Sequence, residues 1–191
     1  MKDILKVGSI LMLITTIAAT ALAGVYSVTK PLIEMRKREA LNAAKTIALP
    51  GVDLRAIDEV KSEDNVLYYT GYSDTNKTNL VGYAFLAKGK GYSSVIESIV
   101  GVDSAGYIIG IKILSQTETP GLGTKIEEKK YGETDSWFQR QFIGKPSEKL
   151  AVDLDGGTIE SITGATISSR AVTNSIVVGY EDLMQKLKET N

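Results

Sequence analysis

The segment Ser161-Ile162-Thr163-Gly164-Ala165-Thr166-Ile167-Ser168-Ser169 sets hydroxyl side chains around a Gly-Ala pair, just ahead of a stretch with helical periodicity. A helix N-terminus offers unpaired N–H groups and the positive end of a dipole, so it stabilises a phosphate. Gly164 and Ala165 leave space for a bulky group to approach the backbone. A phosphate esterified to a threonine here would be held both covalently and electrostatically. The plainer reading is a strand-to-helix turn, bent at Gly164 and capped by a hydroxyl. A threonine hydroxyl is a poor nucleophile unaided, and the chain has no His to activate it, so esterification needs a separate transferase.

A second segment, Thr117-Glu118-Thr119-Pro120-Gly121-Leu122-Gly123-Thr124, follows an expected strand. Pro120-Gly121 has the sequence of a type II turn centre. The segment also reads as a ligand wall. Gly121 and Gly123 let backbone amides approach a planar ligand, Leu122 can cover a ring face, and Glu118 and the threonines supply polar anchors. A third stretch, Lys88-Gly89-Lys90-Gly91-Tyr92-Ser93-Ser94, could meet a phosphate but reads more simply as a solvated loop. The pairs Asp153/Asp155 and Glu127/Glu128 read as surface charge, and no metal site is expected around them. Tyr68, Tyr69, Tyr72 and Tyr83 read as strand packing.

Composition narrows the chemistry further. The chain has 191 residues, a net charge of −1, no Cys and no His. These absences exclude disulfides, thiolate nucleophiles, iron–sulfur ligation, zinc fingers, Ser-His-Asp triads and His-ligated haem. No catalytic residue is assigned. The near-neutral charge argues against nucleic acid as the main partner. Any redox chemistry requires a cofactor held by hydroxyls, amides, carboxylates, ammonium groups or backbone.

The elements that position these segments begin with an apolar run. From Val7 to Thr29 there are 23 residues without a charge. A helix of that length spans about 35 Å, enough to cross a hydrocarbon core of about 30 Å. Lys2, Lys6 and the A-x-A pattern at Ala21-Leu22-Ala23 also fit a cleaved signal peptide, but the apolar run continues past Ala23, and a retained anchor is expected. Residues 31–50 read as a helical stalk ending at the breaker pair Pro50-Gly51. Strands are expected at Val66–Thr70, Val81–Ala87, Val95–Val102 and Tyr107–Leu114, the last two joined by a hairpin at Asp103-Ser104-Ala105-Gly106. Trp137–Ile143 reads as a short helix, and Ser168–Lys188 as a long one with Ile176, Val177, Tyr180, Leu183, Met184 and Leu187 in one stripe. The expected organisation is a transmembrane anchor (1–30), the stalk (31–50) and one α+β domain (51–191), an antiparallel sheet with helices packed on it. Residues 31–191 carry 19 Lys and Arg against 22 Asp and Glu, a net −3. A literal positive-inside count keeps this domain in the cytoplasm, although large domains translocate largely regardless of charge.

Taken together, GKGYSSVIESIVGVDSAGYIIGIKILSQTETPGLGTKI and ESITGATISS are similar to the FMN-binding domain shared by the G subunit of the Rnf complex and the C subunit of the sodium-translocating NADH:quinone reductase. The order of segments matches over nearly the whole chain, and the short length and the GATISS form favour the G subunit of Rnf. The resemblance implies FMN joined through its phosphate to Thr166. It places Thr163, Gly164 and Ala165 at the phosphate end and Glu118, Thr119, Leu122 and Gly123 along the flavin, with Lys149 as a cation near it. The family motif usually begins with Asp where this chain has Glu160, which keeps the charge and lengthens the reach. The resemblance further implies an electron-relay component of an ion-translocating ferredoxin:NAD oxidoreductase. Its partners would be the other Rnf subunits, a flavin transferase and membrane lipid, and its domain would lie on the extracytoplasmic side. The C subunit of the quinone reductase, a cofactor-free assembly module and a non-covalent phosphate binder are the rival readings.

Overall fold

In the computed structural model residues 2–62, 65–133 and 135–190 are described. The chain forms two compact units, Met1–Ala40 and Leu41–Asn191. Helix α1 (Lys2–Ala48) supplies the described residues of the first unit and the opening of the second, with Pro31 inside it. Its apolar stretch is long enough to cross a membrane, and none of its side chains there is buried within the protein. The hydroxyls in this stretch turn back onto the helix. Ser9 donates to Lys6 O, Thr16 to Met12 O, Thr20 to Thr16 O and Thr29 to Val25 O, at 2.7–2.9 Å. A polar side chain satisfied by its own helix tolerates a medium without water.

The second unit is a five-stranded antiparallel meander, β1 (Ile57–Ser62), β2 (Asn65–Tyr72), β3 (Leu80–Lys90), β4 (Val95–Val102) and β5 (Ile108–Ser115), in sequence order across the sheet. Both faces of the sheet are covered. Tyr68, Phe85, Ala87, Ile96 and Val100 point to one core, shared with Ile126, Phe138, Val172, Ile176 and Leu183. Tyr69, Ala84 and Ile99 point to the other, shared with Ala44, Ala48 and Leu49 from the end of α1. Burial on both sides explains the near-continuous β-branched runs of β4 and β5. The fold is α+β, as expected from the sequence. The stalk residues 31–48 are helical, but from Leu41 onward they belong to the compact unit and cover one sheet face.

That contact is close because two glycines are register partners in adjacent strands, Gly101 and Gly110. A Cβ at Gly101 would stand 1.9 Å from Ala48 O, and one at Gly110 would stand 2.2 Å from Ile47 O. Lys45 fixes the same turn electrostatically. It is buried, its Nζ lies 2.7 Å from Glu59 Oε1 on β1, and it sits 4.3 Å from the centroid of the Tyr69 ring. Hydrogen bonds from Lys45 and Lys61 hold the Glu59 carboxyl at a pKa of about 2.

Three elements differ from the sequence expectation. Strand β1, with four of its six residues polar or charged, gives no strand pattern because it is an edge strand held by β2 and by Lys45. The helix expected at Trp137–Ile143 is a single turn, α2 (Trp137–Arg140). It tightens into i→i−3 bonds such as Phe142 N to Gln139 O before Gly144. The long helix α3 (Thr166–Thr190) begins two residues earlier than its apolar stripe indicates, so Thr166 is its first residue. It packs against the sheet where Gly89 meets the Ala171 carbonyl and Gly179 meets the Phe85 ring.

Candidate functional site

The two glycine-bearing segments fold into the same kind of turn. Residues 119–122 close with Leu122 N–H to Thr119 O at 3.1 Å, with Gly121 at φ 74°. Residues 162–165 close with Ala165 N–H to Ile162 O at 2.8 Å, with Gly164 at φ 79°. In both, the glycine holds the third position, which requires positive φ in a type II turn. The turns meet: a Cβ at Gly164 would lie 3.2 Å from Leu122 Cδ2. Leu122 is 43% exposed, so it stands over the second turn with one side open.

Helix α3 starts from that second turn. The first bond of its ladder is Ser169 N–H to Ala165 O at 3.0 Å, which makes Ala165 the N-cap residue. Alanine has no side-chain acceptor, so the N–H groups of the opening turn lack the usual cap. The local hydroxyls divide into two sets. Ser169 Oγ accepts from Ile162 N–H at 3.0 Å and donates to Ala165 O at 3.1 Å, locking the turn to the helix. Ser168 Oγ donates to Glu118 Oε2 at 2.6 Å. Among the described residues no hydrogen bond engages the hydroxyl of Thr163, which is exposed, or of Thr166, which is half-buried. The capping hydroxyl of the plain turn reading is therefore absent, while a threonine hydroxyl at the helix start is left uncommitted.

Glu118 is 4% exposed and accepts from the N–H groups of Tyr92, Ser93 and Ser94 at 2.9–3.0 Å, besides the hydroxyls of Ser94 and Ser168. Burial pushes its carboxyl pKa up, but the hydrogen bonds from Ser168, Tyr92, Ser93 and Ser94 outweigh that and hold it at about 2. The Gly91–Ser94 turn is thus an anion nest, and the anion it holds is this carboxylate. Lys88 of the same stretch pairs with Glu97 at 2.7 Å. Asp155 and Arg170 form a two-pronged pair at 2.7 and 2.6 Å, one helical turn after Thr166. Asp153 accepts from Ser161 N–H at 3.1 Å, so these carboxylates brace the turn ahead of α3.

The structure brings Thr163, Gly164, Ala165, Thr166, Thr119 and Leu122 to one end of α3. Thr119 Oγ1 lies 3.4 Å from Ser93 Oγ on the same rim. Three other expected site residues take different places. Glu118 and Gly123 are buried behind the rim, where a Cβ at Gly123 would stand 2.6 Å from Glu118 Cβ and 2.7 Å from Ser168 Oγ. Lys149 ends a short turn beside Tyr180 and Glu181, and Tyr180 lies about 21 Å along α3 from Thr166 at ~1.5 Å per residue. Its distance follows from the 147–149 turn packing on the middle of α3. Ser168, Ser169, Arg170 and the 73% exposed Tyr92 belong to the site, and no spacing rule separates them from ordinary helix and loop residues.

The FMN-binding domain family matches residues 91–180, the span from the nest to the middle of α3. The chain is 32% identical over 181 residues to the G subunit of the ion-translocating oxidoreductase complex of Methanosarcina acetivorans, covering 92% of each. It is 33% identical over 195 residues to the G subunit of the Na(+)-translocating ferredoxin:NAD(+) oxidoreductase complex of Acetobacterium woodii, covering 92% of this chain and 89% of that one. Its fold is like that of the C subunit of the Na(+)-translocating NADH-quinone reductase of Parabacteroides distasonis, with 18% identity, a TM-score of 0.54, and coverage of 78% of this chain and 93% of that one.

Proposed function

The chain belongs to the G-subunit family of ion-translocating oxidoreductase complexes, and from that premise we propose that it is a membrane-anchored electron carrier whose FMN is esterified through its phosphate to Thr166. One observation carries the attachment site. A 25-residue helix opens on an alanine cap, and its first residue is a threonine with no hydrogen-bond partner for its hydroxyl among the described residues. A phosphate on that oxygen supplies the missing acceptor for the N–H groups of the first turn.

The residues around the helix end fit such a group. Gly164 keeps the approach to the backbone clear, and Leu122 stands where it can cover one face of a flat ring. When bound, FMN supplies the capacity to pass one or two electrons. The chain's own part is to hold and orient. Thr166 provides the oxygen, the helix end balances the phosphate charge, and Arg170, already paired with Asp155, keeps a cation within a turn of it. With no His or Cys in the sequence, the base that takes the Thr166 proton belongs to a separate flavin transferase. The apolar part of α1 anchors the chain in lipid, the domain lies on the extracytoplasmic side, and the partners are the other subunits of a ferredoxin:NAD oxidoreductase complex of the Rnf type.

The test is the intact mass of the chain isolated from its native membranes, with the modified peptide mapped. The expected mass exceeds that of the polypeptide by FMN less one water, on the peptide that contains Thr166. Thr166→Ala removes the increment. A bare polypeptide mass, or a Thr166→Ala chain that keeps flavin through denaturation, overturns the reading.

A further inference from the structure

We propose that Glu118 is a positioning residue: its buried carboxylate clamps the Gly91–Ser94 turn and the 119–122 turn against the opening of α3, and so sets where the Thr166 hydroxyl and the exposed Tyr92 ring stand. The inference rests on the reading of Thr166 as the attachment site and adds a role that a ligand-contact reading of Glu118 does not contain.

Three observations carry it. The first is connectivity. Glu118 Oε1 accepts from Ser93 N–H, Ser94 N–H and the Ser94 hydroxyl, while Oε2 accepts from Tyr92 N–H and the Ser168 hydroxyl. One side chain therefore joins the β3–β4 turn, its own loop and the third residue of α3. The second is the nature of the donors. All five are neutral backbone amides or hydroxyls, so the charge is stabilised only by groups whose positions it fixes in return. A carboxylate in such a nest loses its hold if any one segment moves away. The third is steric. A Cβ at Gly91 would stand 2.6 Å from Glu118 Oε1, and one at Gly123 would stand 2.6 Å from Glu118 Cβ and 2.7 Å from Ser168 Oγ. Neither glycine has positive φ, so neither is required by its backbone conformation. They are small because the carboxylate and the Ser168 hydroxyl occupy the space a side chain would take.

Ser168 lies two residues after Thr166, within the same first turn of the helix. Tyr92 follows Gly91 and is 73% exposed, so its N–H is fixed by Glu118 while its ring faces outward. Releasing the clamp would leave both rims of the site present but loosely placed. A misplacement of about 1 Å near a reacting group can lower a rate by up to ~100-fold.

The experiment uses the full chain in membranes, incubated with a flavin transferase and its flavin donor, comparing wild type with Glu118→Gln, Ser168→Ala, Gly123→Ala and Thr166→Ala. Three quantities are read: the rate of mass gain, the visible circular dichroism of the attached flavin, and the far-ultraviolet circular dichroism that reports folding. The expected result is folded Glu118→Gln and Ser168→Ala chains that gain flavin at least about tenfold more slowly and show an altered visible band. Gly123→Ala should behave in the same way. A part that is only structural would lower thermal stability without moving the first two quantities. Wild-type rate and band shape in folded Glu118→Gln overturn the proposal. If Glu118→Gln does not fold, Ser168→Ala decides, since it removes one arm and leaves the carboxylate in place. Its wild-type behaviour overturns the proposal equally. Failure of the attachment reading is separable, because then wild type gains no mass or Thr166→Ala still gains it.

Discussion

Acidification should remove the Glu118 clamp in a way that a single substitution isolates. The carboxyl is held at about 2 against an ordinary value of 4.5, and at about 1.36 kcal/mol per pH unit that depression stabilises the fold by about 3 kcal/mol. The folded value lies below the unfolded one, so the contribution is complete above about pH 4.5. It is lost as pH falls from there through about 2, where folded and unfolded chains are both protonated. Glu118→Gln imitates the protonated state at every pH. The assay is urea unfolding of the wild-type and Glu118→Gln chains in detergent, at steps from about pH 7 to about pH 2.5. Wild type should be more stable by about 3 kcal/mol at neutral pH, and the gap should close as pH drops below about 4.5. Glu59, also held low by Lys45 and Lys61, loses its own contribution over the same range in both chains and cancels in the difference. A gap that stays constant to the acid end of the series would refute the reasoning, because its source would then be packing and not charge.

Ala165→Ser supplies the absent N-cap and should stabilise the flavin-free chain by about 1 kcal/mol, a rise of ~2–4 °C in Tm. On the proposed attachment the same substitution should give the flavin-loaded chain little, because the phosphate would already meet those N–H groups, and equal gains in both forms would count against that contact. Lys45→Met leaves Glu59 with Lys61 as its remaining cation and removes the contact with the Tyr69 ring. Thermal unfolding should show a loss of about 2 kcal/mol, moderated by the partial exposure of Glu59. Gly101→Ala forces a Cβ toward the Ala48 carbonyl, which is rigid helix backbone, and should cost about 1–3 kcal/mol in the same measurement.

Much of this fold could be read from residue patterns because the patterns have simple physical causes. Strands β4 and β5 are buried on both faces, so their β-branched runs are unbroken, and the turn between them carries Asp103, whose side chain accepts from Ala105 and Tyr107 N–H at 2.9 Å. The stripe Ile176, Tyr180, Leu183 predicts α3 because those residues face one core. Its true start was hidden, since the buried residues of the first turn, Ser168 and Ser169, are polar, and Thr166 and Ile167 add nothing to the stripe. Strand β1 was hidden for a related reason: an edge strand with Asp58, Glu59 and Lys61 is held by its neighbour and by a cation 14 positions earlier in the chain, and no local window contains that pairing. At the site, the segments that meet were legible and their division of labour was not. Glu118 and Gly123 carry the same motif as Leu122, yet they are turned inward, and only the contact with Ser168 separates clamp from wall.

The same separation explains why a chain without His or Cys can be suited to electron carriage. Local rules hold through the inner strands and most of the long helix, and several of them break together at the opening of α3. The N-cap is alanine, a carboxylate is buried among neutral donors, and Gly164 leaves the approach beside Leu122 open. The alanine cap lowers the stability of the isolated chain, and a phosphate at Thr166 would offset that loss because the helix end then gains its acceptor, whereas the buried carboxylate holds the facing turns in place. Sequences that satisfy every local preference except at one cluster mark that cluster as the place where function overrides stability. The departures here share a single geometry, the first turn of α3 and the two turns that face it. The alanine cap is the departure that a tethered phosphate answers directly, while the Glu118 carboxylate and the glycines that make room for it hold the turns facing that helix end.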